Sequence, residues 1–372
     1  MTFELVLVGF GNVGRRFVRL LDETRGPLAR DHGIEARVVG IATRTHGHVF
    51  DPRGLNAVAL ADEVEAGGRV GRSAGPALTF LKNALARCRT TARDGRLVLV
   101  ETTTLTIRDG QPAIDHVKAA LAAGAHVVTA NKGPAAFAFG TLMTAAERAG
   151  RQFLFESAVM DGIPIFSLRR ANLPALSVRG FDGVVNSTTN HILTAMEGGQ
   201  SFDHALAAMQ RDGIAEADAS LDVDGWDAAA KAAALANVFL GAKVTPHAVE
   251  REGIGDVSAA RLHGARKAGR RLKLVASGAG TGAEARVSVR LVELPSSDLL
   301  AALEGGENAL VLHTDHLGDL AIVQRGSGLT MTAYGLVSDL VAIGREWRPR
   351  RATRRSPPSA RRDRTRSGRG RR

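Results

Sequence analysis

Residues 3–14 read FELVLVGFGNVG. The first six residues of this stretch form a nearly unbroken apolar run, which is typical of a strand buried on both faces of a parallel sheet. The glycines follow at once with Gly-x-Gly-x-x-Gly spacing, and residues 15–22 have helical periodicity. Strand, glycine turn and helix in this order predict the first unit of a Rossmann-like α/β domain.

The alternation of strand and helix continues along the chain. Further apolar runs predict strands at residues 36–42, 96–100, 126–129 and 152–156. Helical patterns between them are clearest at 114–123 and 141–149. We therefore predict a doubly wound parallel sheet over residues 1–150, which would form a dinucleotide-binding domain.

The pattern changes after residue 150. Strands with polar alternation, at 286–294 and 308–325, follow helical patterns at 202–211 and 227–240. This mixture predicts an α+β domain over residues 151–325. The segment 326–345 returns to a helical pattern and is expected to pack back on the first domain.

The ends of the predicted strands carry the candidate cofactor residues. Gly9, Gly11 and Gly14 would let the backbone approach a pyrophosphate at a helix N-terminus. The second strand ends in Thr43-Arg44 without an acidic residue, which favours NADP over NAD because an arginine there can accommodate a 2′-phosphate. The next two strands end in Thr102-Thr103 and Asn131-Lys132, at the edge of the sheet where ligands bind.

Residues 216–231 read EADASLDVDGWDAAAK and carry the second group of candidates. Several carboxylates crowd a glycine-containing loop, and such a loop suits a site that binds an ammonium group. Asp227 and Lys231 lie four residues apart, so a helix would place both on one face. An acidic, solvated loop before an ordinary helix N-terminus explains the same residues without a site.

The positive charge of the chain is confined to its C-terminus. The net charge of the 372 residues is +11, but residues 345–372 contain thirteen Arg and two acids, so the remainder is neutral. The segment 346–372 has almost no apolar residues and is predicted to be a disordered Arg-rich tail. Nucleic acid is therefore an expected partner only through non-specific contacts with this tail.

Composition also limits the compartment and the redox chemistry. The single cysteine, Cys88, excludes an intramolecular disulfide. No apolar run reaches the length of a membrane span, and the N-terminus lacks a basic region before its apolar run. We expect a cytoplasmic protein that is not bound to membranes.

Five motifs, in order, resemble those of the homoserine dehydrogenase family. They are GFGNVG, VVTANKGP at 127–134, ESAVMDGIPIF at 156–166, GVVNSTTNHIL at 183–193 and GIAEADASLDVDGWDAAAK at 213–231. The resemblance covers about residues 3–345. It implies NAD(P)-dependent interconversion of L-aspartate 4-semialdehyde and L-homoserine, in threonine and methionine biosynthesis, by a homodimer whose second domain carries catalysis and dimerisation.

The resemblance also implies roles for particular residues. Lys231 matches the catalytic proton donor and Lys132 a lysine at the junction of cofactor and substrate. Substrate positions are matched by Glu216, Asp222 and Asp227. Further cofactor positions are matched by Phe10, Asn12, Val13, Arg44, Thr103 and Gly326. A structural sodium site is matched by the Glu156 carboxylate and by the carbonyls of Val159, Asp161 and Ile163.

Three features depart from the family pattern. The basic tail lies where many bacterial members carry a regulatory domain, so the chain resembles a short form without threonine feedback through that domain. Asp161 stands where many members have Gly or Ala, which a carbonyl ligand tolerates. The segment 253–301 also fits the family pattern less well.

Two other functions are compatible with the residues. One is a Rossmann oxidoreductase that acts on a related amino-acid semialdehyde, which substrate profiling would identify. The other is a non-catalytic protein that binds NADP, or polyanions through its tail. Deletion of 346–372 distinguishes this second function from an enzyme. An enzyme would keep its turnover without the tail, whereas a protein that binds through its tail would lose its partner.

Overall fold

The computed structural model describes residues 1–72, 75–211 and 219–347. Its first sheet has six strands: β1 (Thr2–Val8), β2 (Glu35–Ala42), β3 (His48–Phe50), β4 (Leu97–Glu101), β5 (His126–Thr129) and β6 (Phe153–Leu154). Their order is β3-β2-β1-β4-β5-β6, and all neighbours except β2 and β3 are parallel. The predicted Rossmann-like sheet is confirmed.

Strand β3 is the departure from the prediction of a parallel sheet. It runs antiparallel to β2, with Gly40 opposite Phe50 and Ala42 opposite His48. Only residues 43–47 connect the two strands, and a connection this short permits a hairpin but not a parallel crossover.

Seven helices accompany the first sheet: α1 (Asn12–Glu23), α2 (Arg25–His32), α3 (Ala57–Glu65), α4 (Ala77–Arg87), α5 (Arg89–Arg93), α6 (Ala113–Ala122) and α7 (Gly133–Ala149). Strand β1 is buried on both faces: Leu5 and Leu7 pack in one apolar cluster, and Val6 and Val8 pack in another. Because successive side chains point to opposite faces, both faces must be apolar, which explains the unbroken run in the sequence.

The glycine turn lies between β1 and α1, where the strand order reverses. Gly9 has φ of 92°, and a Cβ atom there would lie 2.5 Å from the carbonyl carbon of Thr102 at the end of β4. Only glycine fits both conditions. The turn therefore brings the ends of two neighbouring strands together at the place where parallel sheets bind ligands.

The second sheet is mixed and comprises β7 (Val178–Val184), β8 (Glu250–Arg251), β9 (Arg270–Ala279), β10 (Arg286–Pro295), β11 (Asn308–Thr314) and β12 (Asp319–Gln324). Its order is β12-β11-β7-β9-β10-β8. The helices of this part are α8 (Phe166–Asn172), α9 (Ser187–Glu197), α10 (Phe202–Arg211), α11 (Ser220–Val223), α12 (Trp226–Phe239), α13 (Ala259–Lys267) and α14 (Leu329–Glu346). Helices α9, α12 and α13 pack against β9.

The central strand β9 lies in the segment 253–301, and no strand is predicted from the sequence over its residues. It begins with two arginines and contains Lys273, which is only 1% exposed. The Lys273 ammonium donates to Asn190 Oδ1 at 2.8 Å and to the Leu303 carbonyl. A charged residue in a buried strand interrupts the apolar pattern by which strands are predicted. Its partners lie far away in the sequence, so the pattern gives no sign that its charge is compensated.

Helix α7 begins at Gly133, eight residues before the predicted start. The helix is interrupted at Ala138, which has φ of −140°. Asn237 of α12 donates to the carbonyls of Ala135 and Ala136 at 3.1 and 3.2 Å. A side chain from another helix thus satisfies carbonyls next to the interruption, and it ties α7 to α12.

The last helix joins the two parts of the chain. Helix α14 packs against α1 and extends through Glu346, one residue into the segment predicted as tail. Trp347 follows, and its indole donates to the Asp94 carbonyl at 3.0 Å. Residues 348–372 lie outside the described part of the chain. Among the helices that the structure describes, none is long and apolar enough to cross a membrane.

Acid sensitivity is expected from His126, which is buried at the start of β5. Burial, together with the nearby Arg151 charge, lowers the pKa of this imidazole to about 4. The unfolded chain therefore binds a proton that the native state does not bind between about pH 6.5 and pH 4, so stability falls as the pH decreases through this window.

The variant His126→Asn should lose that sensitivity, which corresponds to about 3 kcal/mol at most. Its side-chain oxygen can accept the Gln152 N–H that His126 Nδ1 accepts at 3.0 Å. Urea unfolding at pH 7 and pH 5 measures the difference. The control is His263→Asn, because His263 is exposed. If the free energy of unfolding falls equally between pH 7 and pH 5 in both variants, the prediction is contradicted.

Candidate functional site

A cavity of about 240 Å³ lies where the strand ends of the first sheet meet the second part of the chain. It is lined by Val13, Thr102, Thr103, Ala130, Lys132, Ser157, Ala158, Val159, Asp161, Lys231 and Thr332. The lining combines residues predicted for the cofactor, for catalysis and for the sodium loop. The lining residues come from positions between Val13 and Thr332 of the chain and share one small space.

An ion cluster forms one wall of the site. The Lys132 ammonium lies 2.7 Å from Asp227 Oδ1, and the Lys231 ammonium lies 3.1 Å from Asp227 Oδ2. The three side chains are 13–20% exposed. Lys132 follows the end of β5, whereas Asp227 and Lys231 share one face of α12, as the four-residue spacing predicts.

The cluster carries one more positive than negative charge when both lysines are protonated. Burial raises the pKa of Asp227, but the Lys132 and Lys231 ammonium groups outweigh it and hold the pKa below its ordinary value. For Lys132, burial lowers the pKa, and the opposing attraction of Asp227 leaves it raised. Asp227 therefore remains a carboxylate that binds two lysines.

Asp222 has a different environment from Asp227. Burial raises the pKa of its carboxyl group, and repulsion by Asp227 raises it further. The pKa values of these two neighbouring acids are thus shifted in opposite directions. A cation that approaches Asp222 would favour the charged form of this carboxyl group and lower its pKa again.

Two neighbouring residues in the turn before α9 complete this wall, and neither was predicted as a site residue. The Val185 carbonyl accepts a hydrogen bond from the Lys231 ammonium at 2.7 Å. The Asn186 amide donates to Asp222 Oδ1 at 2.7 Å and to Asp227 Oδ2 at 2.9 Å. Both residues lie within the family motif at 183–193, but the position of Asn186 as a helix N-cap explains an asparagine without any site.

The strand ends of the first sheet are cross-linked beneath the cavity. The buried Glu101 carboxylate accepts the Thr103 N–H at 3.2 Å and the Thr129 hydroxyl at 3.0 Å. The Asn131 amide donates to the Thr103 carbonyl at 3.0 Å, and its oxygen accepts the Gly133 N–H at 2.8 Å. These bonds hold Thr103 and the residue after Asn131, which is Lys132, in fixed positions.

The predicted cofactor residues surround the glycine turn. Val13 lines the cavity, and Phe10 is buried in the core beneath the turn. Arg15, which the sequence analysis did not select, donates to the Phe10 carbonyl at 3.0 Å and to Asn12 Oδ1 at 2.8 Å. A Cβ atom on Gly14 would lie 3.0 Å from the Gly9 carbonyl oxygen.

Two predicted cofactor residues lie in turns outside this group. Arg44 is exposed in the β2–β3 connection, whose ends are joined by the Thr43 N–H and the Gly47 carbonyl at 3.2 Å. Gly326 has φ of 84° and lies between β12 and α14, six residues before the cavity-lining Thr332. The structure thus places Arg44 at the carboxyl end of β2, as expected.

The predicted sodium loop is tightly held. Both oxygens of the buried Glu156 carboxylate accept backbone N–H groups, those of Phe166 at 2.8 Å and Ser167 at 2.7 Å. Each oxygen keeps further lone pairs, so a carboxylate with backbone carbonyls suits a hard cation. The Asp161 side chain instead accepts from Gln324 at 2.7 Å and Thr332 at 2.8 Å. Its φ of 49° is rare for a residue other than glycine.

Some predictions cannot be placed. Glu216 lies outside the described residues, as does Asp218 of the same acidic block. Within residues 1–72, 75–211 and 219–347, no group of three His, Cys, Asp or Glu side chains could hold a metal ion. A site with one carboxylate and several carbonyls does not require such a group.

The fold and the cavity define a nicotinamide-dinucleotide-dependent oxidoreductase of the Rossmann type. Two family models match the chain: "Homoserine dehydrogenase, NAD binding domain" over residues 9–156 and "Homoserine dehydrogenase" over residues 164–341. The chain belongs to the homoserine dehydrogenase family, as its motifs predict, and it is an oxidoreductase.

Individual relatives support the same assignment. An NAD(+)-dependent homoserine dehydrogenase of Pseudomonas canavaninivorans is 34% identical over 92% of this chain and 96% of its own. The solved homoserine dehydrogenase of Thiobacillus denitrificans has a TM-score of 0.77 at 29% identity, with 93% and 74% of the two chains covered. A hyperthermophilic archaeal homoserine dehydrogenase mutant in complex with NADPH has a TM-score of 0.76 at 29% identity, covering 94% and 100%.

Two glycine substitutions should separate folding from cofactor binding. Gly9→Ala places a Cβ atom against Thr102 in a positive-φ backbone, so the free energy of unfolding should fall by about 1–3 kcal/mol. Gly11→Ala meets no protein atom within 4 Å and has an ordinary φ of −75°. Its stability should be unchanged, while NADPH affinity should fall at least about tenfold if the pyrophosphate lies against this backbone.

Urea unfolding and fluorescence titration with NADPH measure these two effects independently. Gly26→Ala, also in open space but on α2, is the control for both. Unchanged NADPH affinity in Gly11→Ala would show that the pyrophosphate does not approach this part of the turn.

Proposed function

We propose that this homoserine dehydrogenase interconverts L-aspartate 4-semialdehyde and L-homoserine with NADP, and that Lys231 carries the proton transfer. The observation that supports this most is the Lys132–Asp227–Lys231 cluster in the wall of a cavity lined by Thr102 and Thr103. Two ammonium groups therefore lie beside the strand ends where a nicotinamide ring would be bound.

When bound, the dinucleotide supplies or accepts the hydride. During reduction, the aldehyde oxygen gains negative charge, and an ammonium beside it stabilises this charge and donates a proton. Lys231 suits this role because Asp227 and the Val185 carbonyl fix its direction. Lys132 supplies a second positive charge on the opposite oxygen of Asp227. During oxidation, Lys231 accepts the proton of the hydroxyl group, and alkaline pH favours this direction because homoserine oxidation releases a proton.

Substrate recognition is assigned to the neighbouring acids. An amino-acid substrate has an ammonium group, and such a group would favour the charged form of Asp222, whose pKa is raised by burial and by repulsion from Asp227. Glu216 is proposed as a second partner of the ammonium on the basis of the family pattern, and Asp227 as the acid beside the reacting hydroxyl. These roles make recognition dependent on charge as well as on shape.

The preference for NADP rests on Arg44. This residue is exposed at the carboxyl end of β2, where a 2′-phosphate can be accommodated by arginine. One relative is named as NAD(+)-dependent and one related structure is an NADPH complex. Relatives of this chain thus include examples with either cofactor, and we assign the choice in this chain to local contacts such as this one.

A structural sodium ion is proposed for the loop that follows β6. Its ligands would be the Glu156 carboxylate and the carbonyls of Val159, Asp161 and Ile163. The all-oxygen donor set supports this, and the Asp161 side chain is already occupied by Gln324 and Thr332. The ion would stiffen the loop whose residues Ser157 and Val159 line the cavity.

A homodimer in the cytoplasm is the proposed state of the protein. The face of the second sheet opposite α12 bears Val311 and Val323, and Val323 is 40% exposed. A second copy of this chain is the proposed occupant of that face, and light scattering measures the mass. Non-specific binding of polyanions by the Arg-rich tail stays a prediction.

Replacement of the proposed proton donor provides the central test. Lys231→Met should lower kcat for homoserine oxidation by about 10²–10⁴-fold, because no group replaces the positioned base. NADPH affinity should stay within a few-fold of wild type. The control is Lys243→Met, an exposed lysine shortly after α12, which should retain full activity. If Lys231→Met retained more than a tenth of wild-type kcat while folded, the assignment would be wrong.

Cofactor preference provides the second test. Arg44→Ser should weaken the use of NADP by about tenfold, since each charge-assisted contact to phosphate contributes on the order of 1.5–3 kcal/mol. The use of NAD should change little. The ratio of the two kcat/KM values, followed at 340 nm, is the measurement, with the exposed Arg53→Ser as control. An unchanged ratio would exclude contact between Arg44 and the 2′-phosphate.

A further inference from the structure

Asn186 occupies a central place behind the ion cluster. Its side chain is 4% exposed, and its amide nitrogen donates to Asp222 and to Asp227 at 2.7 and 2.9 Å. Its side-chain oxygen accepts the Thr189 N–H at 2.8 Å and so caps α9. Both amide protons and one oxygen lone pair are therefore used at once.

The two acids that Asn186 joins come from different helices. Asp222 belongs to α11, and Asp227 lies in the first turn of α12. Two carboxylates that share one partner repel each other, and this repulsion contributes to the raised pKa of Asp222. A neutral group with two donors can bind both acids without adding charge, and an asparagine amide is such a group.

The orientation of Asp227 follows from this bridge. Asp227 Oδ2 accepts from Asn186 and also lies 3.1 Å from the Lys231 ammonium, which leaves Oδ1 to face Lys132 at 2.7 Å. The residue before Asn186 contributes its carbonyl to Lys231. One short turn therefore contacts both the proton-transferring lysine and the acid that orients it.

We propose that Asn186 is a positioning residue that holds Asp222 and Asp227 together, so that one carboxylate directs both Lys132 and Lys231 into the cavity. The proposal rests on the proposed function where it concerns turnover, and on geometry alone where it concerns the pair of acids. Asn186 acts through these side chains and is not assigned any contact with substrate.

Two substitutions separate the bridge from the helix cap. Asn186→Ser and Asn186→Asp both keep a side-chain oxygen that can cap α9. Serine offers one donor and no charge, whereas aspartate offers no donor and adds a third negative charge. A capping role alone predicts equal, small effects. The bridging role predicts that kcat for homoserine oxidation falls about tenfold in the serine variant and at least about 100-fold in the aspartate variant.

The control is Asn190→Ser, one turn further along α9. Asn190 is equally buried and donates to the Gly305 and Glu307 carbonyls at 3.0 and 3.2 Å. The loss of these hydrogen bonds in Asn190→Ser should lower the midpoint of thermal unfolding. The value of kcat should stay within about threefold of wild type, because Asn186 still caps α9 and still contacts both acids. Equal kcat in the two Asn186 variants, or a fall in kcat that follows the unfolding midpoint across all three variants, would overturn the proposal.

A second measurement does not depend on turnover. In Asn186→Asp, the added acid faces Asp222 of α11, Asp227 and Lys231 of α12, and, across Asp227, Lys132 before α7. Repulsion among three acids raises the folded-state pKa of at least one, so stability is retained at low pH and lost as the pH rises. The unfolding midpoint of the aspartate variant should therefore fall relative to the serine variant between pH 5 and pH 8.

The two proposals can fail separately. Wild-type protein without homoserine-dependent turnover would contradict the proposed function. The pH dependence of the difference in unfolding midpoint between the aspartate and serine variants would still test the bridge. If the difference in unfolding midpoint between the aspartate and serine variants does not change between pH 5 and pH 8, the bridge is overturned, even if wild-type turnover is high.

Discussion

The attraction of Asp227 for two lysines is the interaction on which the site depends. Lys132 lies between β5 and α7 and Lys231 lies in α12, so the carboxylate joins two parts of the chain as well as two charges. Because the three groups are mostly shielded from water, an unpaired member would be costly, and the cluster requires all of them. The same cluster leaves two ammonium groups at the wall of the cavity, where a developing negative charge can be stabilised.

The surrounding fold keeps these charges in place. Gly9 brings the ends of β1 and β4 into contact, and Asn131 with Glu101 cross-links the strand ends beside Lys132. On the other side, Asn237 ties α7 to α12, which carries Lys231. Buried polar groups with satisfied hydrogen bonds thus form the frame, and the apolar packing of the sheets surrounds it.

Much of the fold follows from patterns within single segments. The apolar run of β1 and the glycine spacing after it predict a Rossmann-like sheet, which is confirmed, and the spacing of Asp227 and Lys231 predicts their shared helix face. Prediction was poorer where a distant partner compensates a local feature. Helix α7 extends past the interruption at Ala138 because Asn237 satisfies the carbonyls beside it, and β9 contains a lysine whose partners come from α9 and from Leu303.

Residue types and short spacings were enough to predict the class of the first domain, the family and most of the charged residues of the site. The tertiary structure alone decided that Lys132 lies against Asp227, 95 residues away, and that Asn186 joins Asp222 to Asp227. Spacing in a sequence reports local geometry only. Contacts between distant segments arise from the packing of whole helices and strands. The chain contains many lysines and many carboxylates, and only this packing decides which of them lie next to each other.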